Sequence, residues 1–260
     1  MSATQMQDTP PPTGEIDPEL VLVVPGKGRP AGAGMDWIKE GWELFTRAPL
    51  MWIVSLITIF VVMVVMSLIP FLGSIAFQVL QPVITGGFMV GCRSLEKGGE
   101  FEIEHLTVGF SKRFVPLAIV GVIFLLGSLA IVLVFFVFAG MSLIPAFLEG
   151  DSNAAMAKVM ASATMMLLGV LVMTALFVPL VAAYWFAPAL VMMHDMKPLE
   201  AMKASFYACF RNFVPFLVYG IVMMVAAIVA VIPFGLGMLV WVPVAIASTY
   251  VAYRDIFTEG

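Results

Sequence analysis

The sequence predicts an all-α integral membrane protein. We expect six transmembrane helices, arranged as three same-orientation hairpin repeats, each preceded by a cytoplasmic interfacial amphipathic helix. Three observations favour this fold class. Of 260 residues, 62% are hydrophobic and only 12% are charged, whereas soluble domains carry about 25% charged residues. Long apolar segments recur along the chain, and the basic residues gather in alternate loops.

Six segments are long enough to cross a bilayer, because a membrane helix needs about 20 mostly apolar residues. None of the six contains Asp, Glu, Lys, Arg or His. A central charged residue would cost about 2.5–3.5 kcal/mol on insertion, so these segments insert without that cost. The predicted spans are 50–69, 73–92, 115–139, 164–190, 214–232 and 235–253.

The basic residues set the orientation. Twelve of the 13 Lys and Arg residues lie before span 1, between spans 2 and 3, between spans 4 and 5, or after span 6, and only Lys158 lies on the opposite side. Cytoplasmic loops carry an excess of Lys and Arg. We therefore expect both termini in the cytoplasm.

A proline-containing turn recurs at the outer end of spans 1, 3 and 5. It reads SLIPFLG at 67–73, SLIPAFLEG at 142–150 and VIPFGLG at 231–237. These echoes predict three repeats, at about 36–93, 103–193 and 198–254, related by a pseudo-threefold axis along the membrane normal. The fourth segment is longer than one straight span, and Pro179 and Pro188 predict kinks in it.

An amphipathic stretch precedes each hairpin. Apolar side chains recur at helical spacing, and short helices of this kind lie in the membrane interface. The three apolar faces are Ile38, Trp42 and Phe45; then Ile103, Leu106, Phe110 and Phe114; then Leu199, Met202, Phe206, Phe210 and Phe213.

Small residues four apart occur in each returning span, shortly after its proline. Such pairs permit close backbone approach between membrane helices. We therefore expect spans 2, 4 and 6 to form the centre of the bundle. The helix-packing candidates are Gly87 and Gly91, Ala183 and Ala187, and Ser248 and Ala252.

The N-terminal residues 1–34 are rich in Pro and Gly. This composition cannot bury enough apolar surface to offset the entropy of ordering, so we predict a disordered cytoplasmic tail ahead of a membrane domain at 35–255. Leu20–Val24 is its one apolar patch and is a candidate short strand or docking peptide.

Polar side chains within the spans are the best candidates for a site. Gln78, Gln81 and Thr85 form a stripe on span 2 that either lines a cavity and binds a ligand or bonds to neighbouring helices. His194 and Asp195 lie among methionines, and Met and His suit Cu(I). Methionine is common in this chain, with 20 copies, so we expect no metal there and no cofactor. We place His105 in a solvated acidic turn.

The composition disfavours several function classes. No ionisable residue lies mid-membrane, where proton relays and ion coupling usually need one. No nucleophile–base pair lies on one helix face, so we expect no enzymatic activity. The net charge is −4, which leaves no basic footprint for nucleic acid.

The segment Tyr184–Phe206, YWFAPALVMMHDMKPLEAMKASF, resembles a group of bacterial multi-pass proteins. The group includes uncharacterised proteobacterial inner-membrane families and, more distantly, the membrane domain of some glycerophosphodiester phosphodiesterases. The resemblance implies residence in the bacterial inner membrane and a structural motif, not a catalytic one. Its carriers are Trp185, Pro188, Glu200, Lys203 and Ser205.

Two functions remain open from the sequence. The first is a scaffold or accessory protein that interacts with membrane lipids and, through its cytoplasmic face, with protein partners. The second is a small permease or channel for a neutral or lipid-like solute.

Overall fold

The computed structural model describes residues 21–147 and 152–259. Within these residues the regular elements are α-helices, and one isolated antiparallel bridge joins Leu22 to Thr258. The all-α prediction is therefore confirmed. The helices are α1 Ala33–Arg47, α2 Pro49–Ser67, α3 Leu72–Glu96, α4 His105–Lys112, α5 Phe114–Phe147, α6 Ser152–Trp185, α7 Ala187–His194, α8 Pro198–Arg211, α9 Phe213–Val231 and α10 Met238–Phe257.

Five helical stretches in the described part of the chain are long and apolar enough to cross a membrane. They are Pro49–Ser67, Leu72–Glu96, Phe114–Phe138, Ala163–His194 and Phe213–Val231. The sixth predicted span corresponds to α10, which has 20 residues but does not meet the same measure of apolarity. Its inner end carries charged and tyrosine side chains.

The fourth predicted span is broken near its inner end. Helix α6 ends at Trp185 and α7 begins at Ala187, with Pro188 in the first turn of α7. Proline has no N–H to donate, and the first turn of a helix needs none. The predicted change of direction at Pro188 is therefore found as a break, whereas Pro179 lies inside α6, which continues through it.

Two of the three proline turns share one feature of backbone geometry. The residue after the proline has a positive φ in both, 60° at Phe71 and 54° at Phe234, a conformation that is rare for a bulky residue. The predicted turn at 142–150 differs, because α5 continues past Pro145 to Phe147. Residues 148–151 lie outside the described part of the chain.

The buried core lies at the inner ends of the helices. The outer ends carry exposed apolar side chains, including Phe71 at 84% and Phe234 at 102% relative exposure. In lipid this exposure has no hydrophobic cost, so the outer halves can stand apart while the inner halves pack. The largest fully buried side chains include Trp37, Trp52, Phe101, Tyr250, Tyr253 and Phe257.

The short amphipathic helices α1, α4 and α8 pack in a cyclic pattern. Helix α4, which precedes the second hairpin, packs on α3, the returning helix of the first. Helix α8, which precedes the third hairpin, packs on α6 and α7, the returning segment of the second. Helix α1, which precedes the first hairpin, packs on α10 and α9 of the third.

The predicted bulky faces of these short helices are divided between the surface and the core. Trp42 of α1, Phe110 of α4 and Phe210 of α8 are exposed, as expected for helices lying in the membrane interface. Phe45, Leu106 and Met202, which were predicted to lie on the same faces, are buried. The rest of the buried face of α8 consists of small residues: Ala201, Ala204, Ser205 and Ala208.

The predicted disorder does not extend over residues 21–34. The Val23 N–H donates to the Phe257 carbonyl at 2.7 Å, and the Lys27 N–H donates to the Ile256 carbonyl at 2.8 Å. We call residues 21–29 the N-terminal strap. Its first residues belong to the patch predicted as a docking peptide, and they do dock, on the end of α10. Residues 1–20 lie outside the described part of the chain.

Asn212 fastens the strap to α8 and α9. Its Oδ1 accepts the Arg29 N–H at 2.7 Å, and its Nδ2 donates to the Lys27 carbonyl at 2.9 Å. Asn212 is fully buried, so both polar ends of its side chain are satisfied where no water reaches them.

Candidate functional site

A groove of about 620 Å³ lies between the inner end of α6 and the helices α9 and α10. Ligand pockets typically have volumes of about 300–1,000 Å³, so this groove is large enough for part of a small molecule or lipid. Aromatic, methionine and small side chains line it: Trp185, Phe216, Tyr219, Gly220, Met223, Met224, Trp241, Val242, Ala245, Ile246 and Thr249.

The few polar groups of the groove bond mostly to backbone. Trp241 Nε1 donates to the Met223 carbonyl at 2.9 Å, and the Thr249 hydroxyl donates to the Ala245 carbonyl at 2.9 Å. Trp185 Nε1 is buried and has no acceptor among the described residues. The groove is thus apolar, and this indole donor lies buried in the protein rather than exposed to the groove.

The polar stripe predicted from the sequence lies elsewhere. Gln78 and Thr85 are half-buried, Gln81 is exposed, and none of them lines the groove. The Thr85 hydroxyl donates to the Gln81 carbonyl at 2.9 Å. The sequence reasoning missed the groove, and the signal that could have found it was a glycine, Gly220, in the middle of an otherwise bulky helix.

Three of the five motif residues, Trp185, Pro188 and Ser205, lie at the break between α6 and α7. The Ser205 hydroxyl donates to the Ala182 carbonyl at 2.6 Å and accepts the Phe186 N–H at 2.9 Å. It therefore replaces the helical hydrogen bonds lost at the break. Trp185 turns into the groove wall, while Glu200 and Lys203 are exposed on α8.

A protein of Burkholderia thailandensis described as a probable inner membrane protein is 32% identical to this chain over 203 residues. The match covers 74% of this chain and 72% of that protein. The chain belongs to the family of this protein. No family model matches the chain, and no solved structure matches it.

Membership of this inner-membrane family agrees with the five apolar helices. The chain is a transmembrane protein of the inner membrane. The family relation supports the predicted likeness to uncharacterised inner-membrane proteins and gives no support to the more distant likeness to glycerophosphodiester phosphodiesterases.

In this family member, several of the predicted packing residues contact α1, α4 and the segment before α4. A Cβ on Gly87 would lie 2.6 Å from the His105 carbonyl oxygen, and one on Gly91 would lie 2.3 Å from the Phe101 ring. Ser248 touches Gly41 of α1, whose Cβ would lie 2.4 Å from the Ser248 hydroxyl. Ala187 and Ala252 are buried, and Ala183 is half-buried.

A charged network joins three helices at the inner face. Glu96, at the end of α3, accepts hydrogen bonds from Arg93 at 2.6 Å, from the Tyr250 hydroxyl at 2.6 Å and from Arg254. Arg254 also pairs with Glu40 of α1. Partly exposed ion pairs contribute about 0–1 kcal/mol each, so the network fixes the relative positions of α1, α3 and α10 more than it stabilises them.

Two further carboxylates occupy related places at the ends of the returning segments. Asp255 of α10 pairs with Arg29 of the strap and accepts the Trp37 indole N–H at 2.9 Å. Asp195, after α7, pairs with Arg113 at 2.7 Å. Each returning segment therefore ends in a carboxylate that binds an arginine.

The two histidines and Cys209 have structural surroundings. The solvated turn predicted for His105 is wrong: the side chain is buried, its Nδ1 accepts the Glu102 N–H at 2.9 Å, and burial lowers its pKa despite the nearby carboxylates. His194 Nε2 lies 2.6 Å from the Tyr253 hydroxyl. Burial raises the pKa of the Cys209 thiol to about 12. Across residues 21–147 and 152–259, no group of three or more His, Cys, Asp or Glu side chains could hold a metal ion.

Proposed function

We propose that this protein is a non-enzymatic scaffold or accessory protein that holds lipids in the inner membrane and partner proteins at its cytoplasmic face. The observation that carries the proposal is the closed core at the inner ends of the helices. The Trp52 ring stacks on Phe88 at 5.7 Å and lies 4.5 Å from Phe101. An aqueous path through the bundle would have to cross this layer.

The polar side chains inside the spans support the same reading. The hydroxyls of Thr58, Thr85, Ser128 and Thr174 each donate to the carbonyl four residues earlier in their own helix. These four donors are satisfied locally and do not need a solute. The Ser55 and Tyr184 hydroxyls have no partner among the described residues, but they are buried in the protein and out of reach of a solute. A permease for hydrophilic solutes would need groups that remain available to replace the solute's hydration.

A six-span topology with both termini in the cytoplasm belongs to the proposal. The ion pair between Arg254 and Glu96 supports it, because it places the end of α10 beside the end of α3. The cyclic packing of α1, α4 and α8 supports three hairpins related by a pseudo-threefold axis. In this topology α10 is the sixth span, and its limited apolarity is tolerated because its inner half is buried in protein.

Permeation of a lipid-like solute is the second candidate, because the groove is open and apolar. Flux measurements in reconstituted vesicles test for permeation of hydrophilic solutes. We expect the flux of glycerol and urea to equal that of protein-free vesicles. The triple variant Gln78→Leu, Gln81→Leu and Thr85→Leu, and the lipid-facing control Ile75→Leu, are expected to behave alike. Protein-dependent flux that the triple variant abolishes and the control retains would establish a permease.

The scaffold role has a direct test at the exposed positions of α8. A photo-crosslinking amino acid at Lys203, activated in cells, is expected to give discrete protein adducts. The same amino acid at Ile228, an exposed apolar position of α9, provides the control and is expected to give lipid adducts. Absence of protein adducts at Lys203, and also at Glu200, would contradict a partner on this face.

A further inference from the structure

We propose that the groove between α6, α9 and α10 binds one acyl chain of a phospholipid from the cytoplasmic leaflet. The inference rests on the lipid-binding part of the proposed function and assigns it to a place. The lining given above is almost wholly apolar, and the groove opens beside Met224, which is 59% exposed on the lipid-facing surface of α9. A chain can therefore enter sideways from the bilayer.

A comparison of α5 with α9 shows that the groove lies where a helix–helix contact is missing. The segment VPLAIVG at 115–121 of α5 matches VPFLVYG at 214–220 of α9. Gly121 packs against α3 so closely that a Cβ would lie 2.4 Å from the Val79 carbonyl oxygen. At the matching position Gly220, within the described part of the chain, nothing lies within 4 Å of an added Cβ. Helix α3 fills the space beside Gly121 in the second hairpin. The corresponding space beside Gly220 in the third hairpin is open, and a ligand can fill it.

The dimensions suit one leaflet. The lining runs along α9 from Phe216 to Met224, about 12 Å at 1.5 Å per residue. The hydrocarbon core of a bilayer is about 30 Å thick, hence about 15 Å per leaflet. Phe216 lies three residues from the start of α9, so the groove begins near the cytoplasmic headgroup level and ends near the bilayer centre.

Trp185 closes the inner end of the groove. It is the last residue of α6, and its ring packs against Phe216 with 6.0 Å between centroids. Its Nε1 atom is buried in the protein, so the surface that Trp185 offers to an acyl chain is the apolar part of the indole ring.

A phospholipid with a diazirine on its acyl chain tests the site in reconstituted vesicles of phosphatidylethanolamine and phosphatidylglycerol. Crosslinks are mapped by peptide mass spectrometry. We expect labelling of the α10 segment around Trp241 and Ala245 to exceed that of the lipid-facing helix α2 by several-fold. Gly220→Phe fills the groove and is expected to remove this excess while labelling of α2 stays unchanged.

The matched control is Ile221→Phe, the adjacent position on the same helix, which is 51% exposed to lipid and should leave the excess intact. Ala245→Leu fills the groove from the opposite wall and keeps the test decisive if Gly220→Phe fails to fold.

Equal labelling of groove and α2, or labelling insensitive to both filling variants, would overturn the proposal. So would a disulfide-linked dimer of Gly220→Cys, because a second copy would then occupy the groove. None of these labelling outcomes affects the glycerol and urea fluxes. A failure of the acyl-chain site can therefore be told apart from a failure of the proposed function.

Discussion

Ser205 shows how one hydroxyl can substitute for a turn of helix. The break after Trp185 leaves a backbone N–H and a carbonyl without helical partners, inside a bundle where water is scarce. The Ser205 hydroxyl serves both at once, as acceptor for Phe186 and donor to Ala182. The resemblance picked out Ser205, but the sequence could not show its task, because its partners lie 19 and 23 residues away on another helix.

Ser205→Ala is expected to lower the free energy of unfolding by about 1–3 kcal/mol, the usual cost of a buried backbone group left unpaired. Ser128→Ala is the matched control. Its hydroxyl bonds only within its own helix, so its loss is expected to cost under about 0.5 kcal/mol. Equilibrium unfolding in mixed micelles with increasing SDS measures both. Equal losses in the two variants would show that the bridging role is wrong.

Cys209 shows how burial lowers the reactivity of a thiol. With its pKa raised to about 12, fewer than about one molecule in a thousand carries the thiolate at pH 8.5, where a free cysteine is about half ionised. Maleimide labelling of Cys209 in the folded protein is therefore expected to stay slow up to pH 9 and to become fast in SDS. Thr107→Cys, on the exposed side of α4, provides the reactive comparison. Rapid native labelling of Cys209 would contradict the buried position.

At the scale of the element, the short amphipathic helices α1, α4 and α8 have two different faces. Periodicity predicted the bulky face only in part, because Phe45, Leu106 and Met202 on that face are buried in the core. It could not predict the docking face, because Gly, Ala and Ser carry little hydrophobic signal. The small residues of α3 and α10 were predicted to bring membrane helices together, and Gly87, Gly91 and Ser248 instead contact α4, Phe101 and α1.

Replacing one glycine at a close contact and one at an open position separates the effect of packing on stability from the effect of helix propensity. Gly87→Ala is expected to destabilise by about 1–3 kcal/mol, because the new methyl group meets backbone atoms of α4. Gly220→Ala, also inside a helix but facing the open groove, is expected to be neutral or slightly stabilising, because Ala favours helix over Gly by about 1 kcal/mol. SDS unfolding of both variants gives the comparison. A Gly87→Ala protein as stable as the parent would contradict the close docking of α4.

At the scale of the whole molecule, the tight packing lies at one end. In the most apolar 18-residue window of α3, 50% of the residues are buried inside the protein, compared with 11% in the corresponding window of α2. Hydropathy predicted six apolar spans, and five helical stretches of the described chain are long and apolar enough to cross a membrane. It could not predict the open groove, because the groove depends on how far α6 stands from α9, and that distance is set by contacts between segments distant in sequence.

The topology gives a prediction for intact cells. Phe234→Cys, at the exposed turn between α9 and α10, is expected to react with a membrane-impermeant maleimide added from outside. Gly98→Cys, at the inner end of α3, is expected to react only after the membrane is opened. The native cysteines supply little background, because Cys92 is buried and Cys209 is half-buried. Labelling of Gly98→Cys from outside would invert the proposed orientation.

The cyclic packing has a consequence for biosynthesis. Helix α1 is translated before its main partner α10 and before Thr258, which pairs with the N-terminal strap. Until α10 is made, Trp37 of α1 lacks its acceptor on Asp255. Deletion of the residues around Thr258 would therefore release the strap as well as the end of α10.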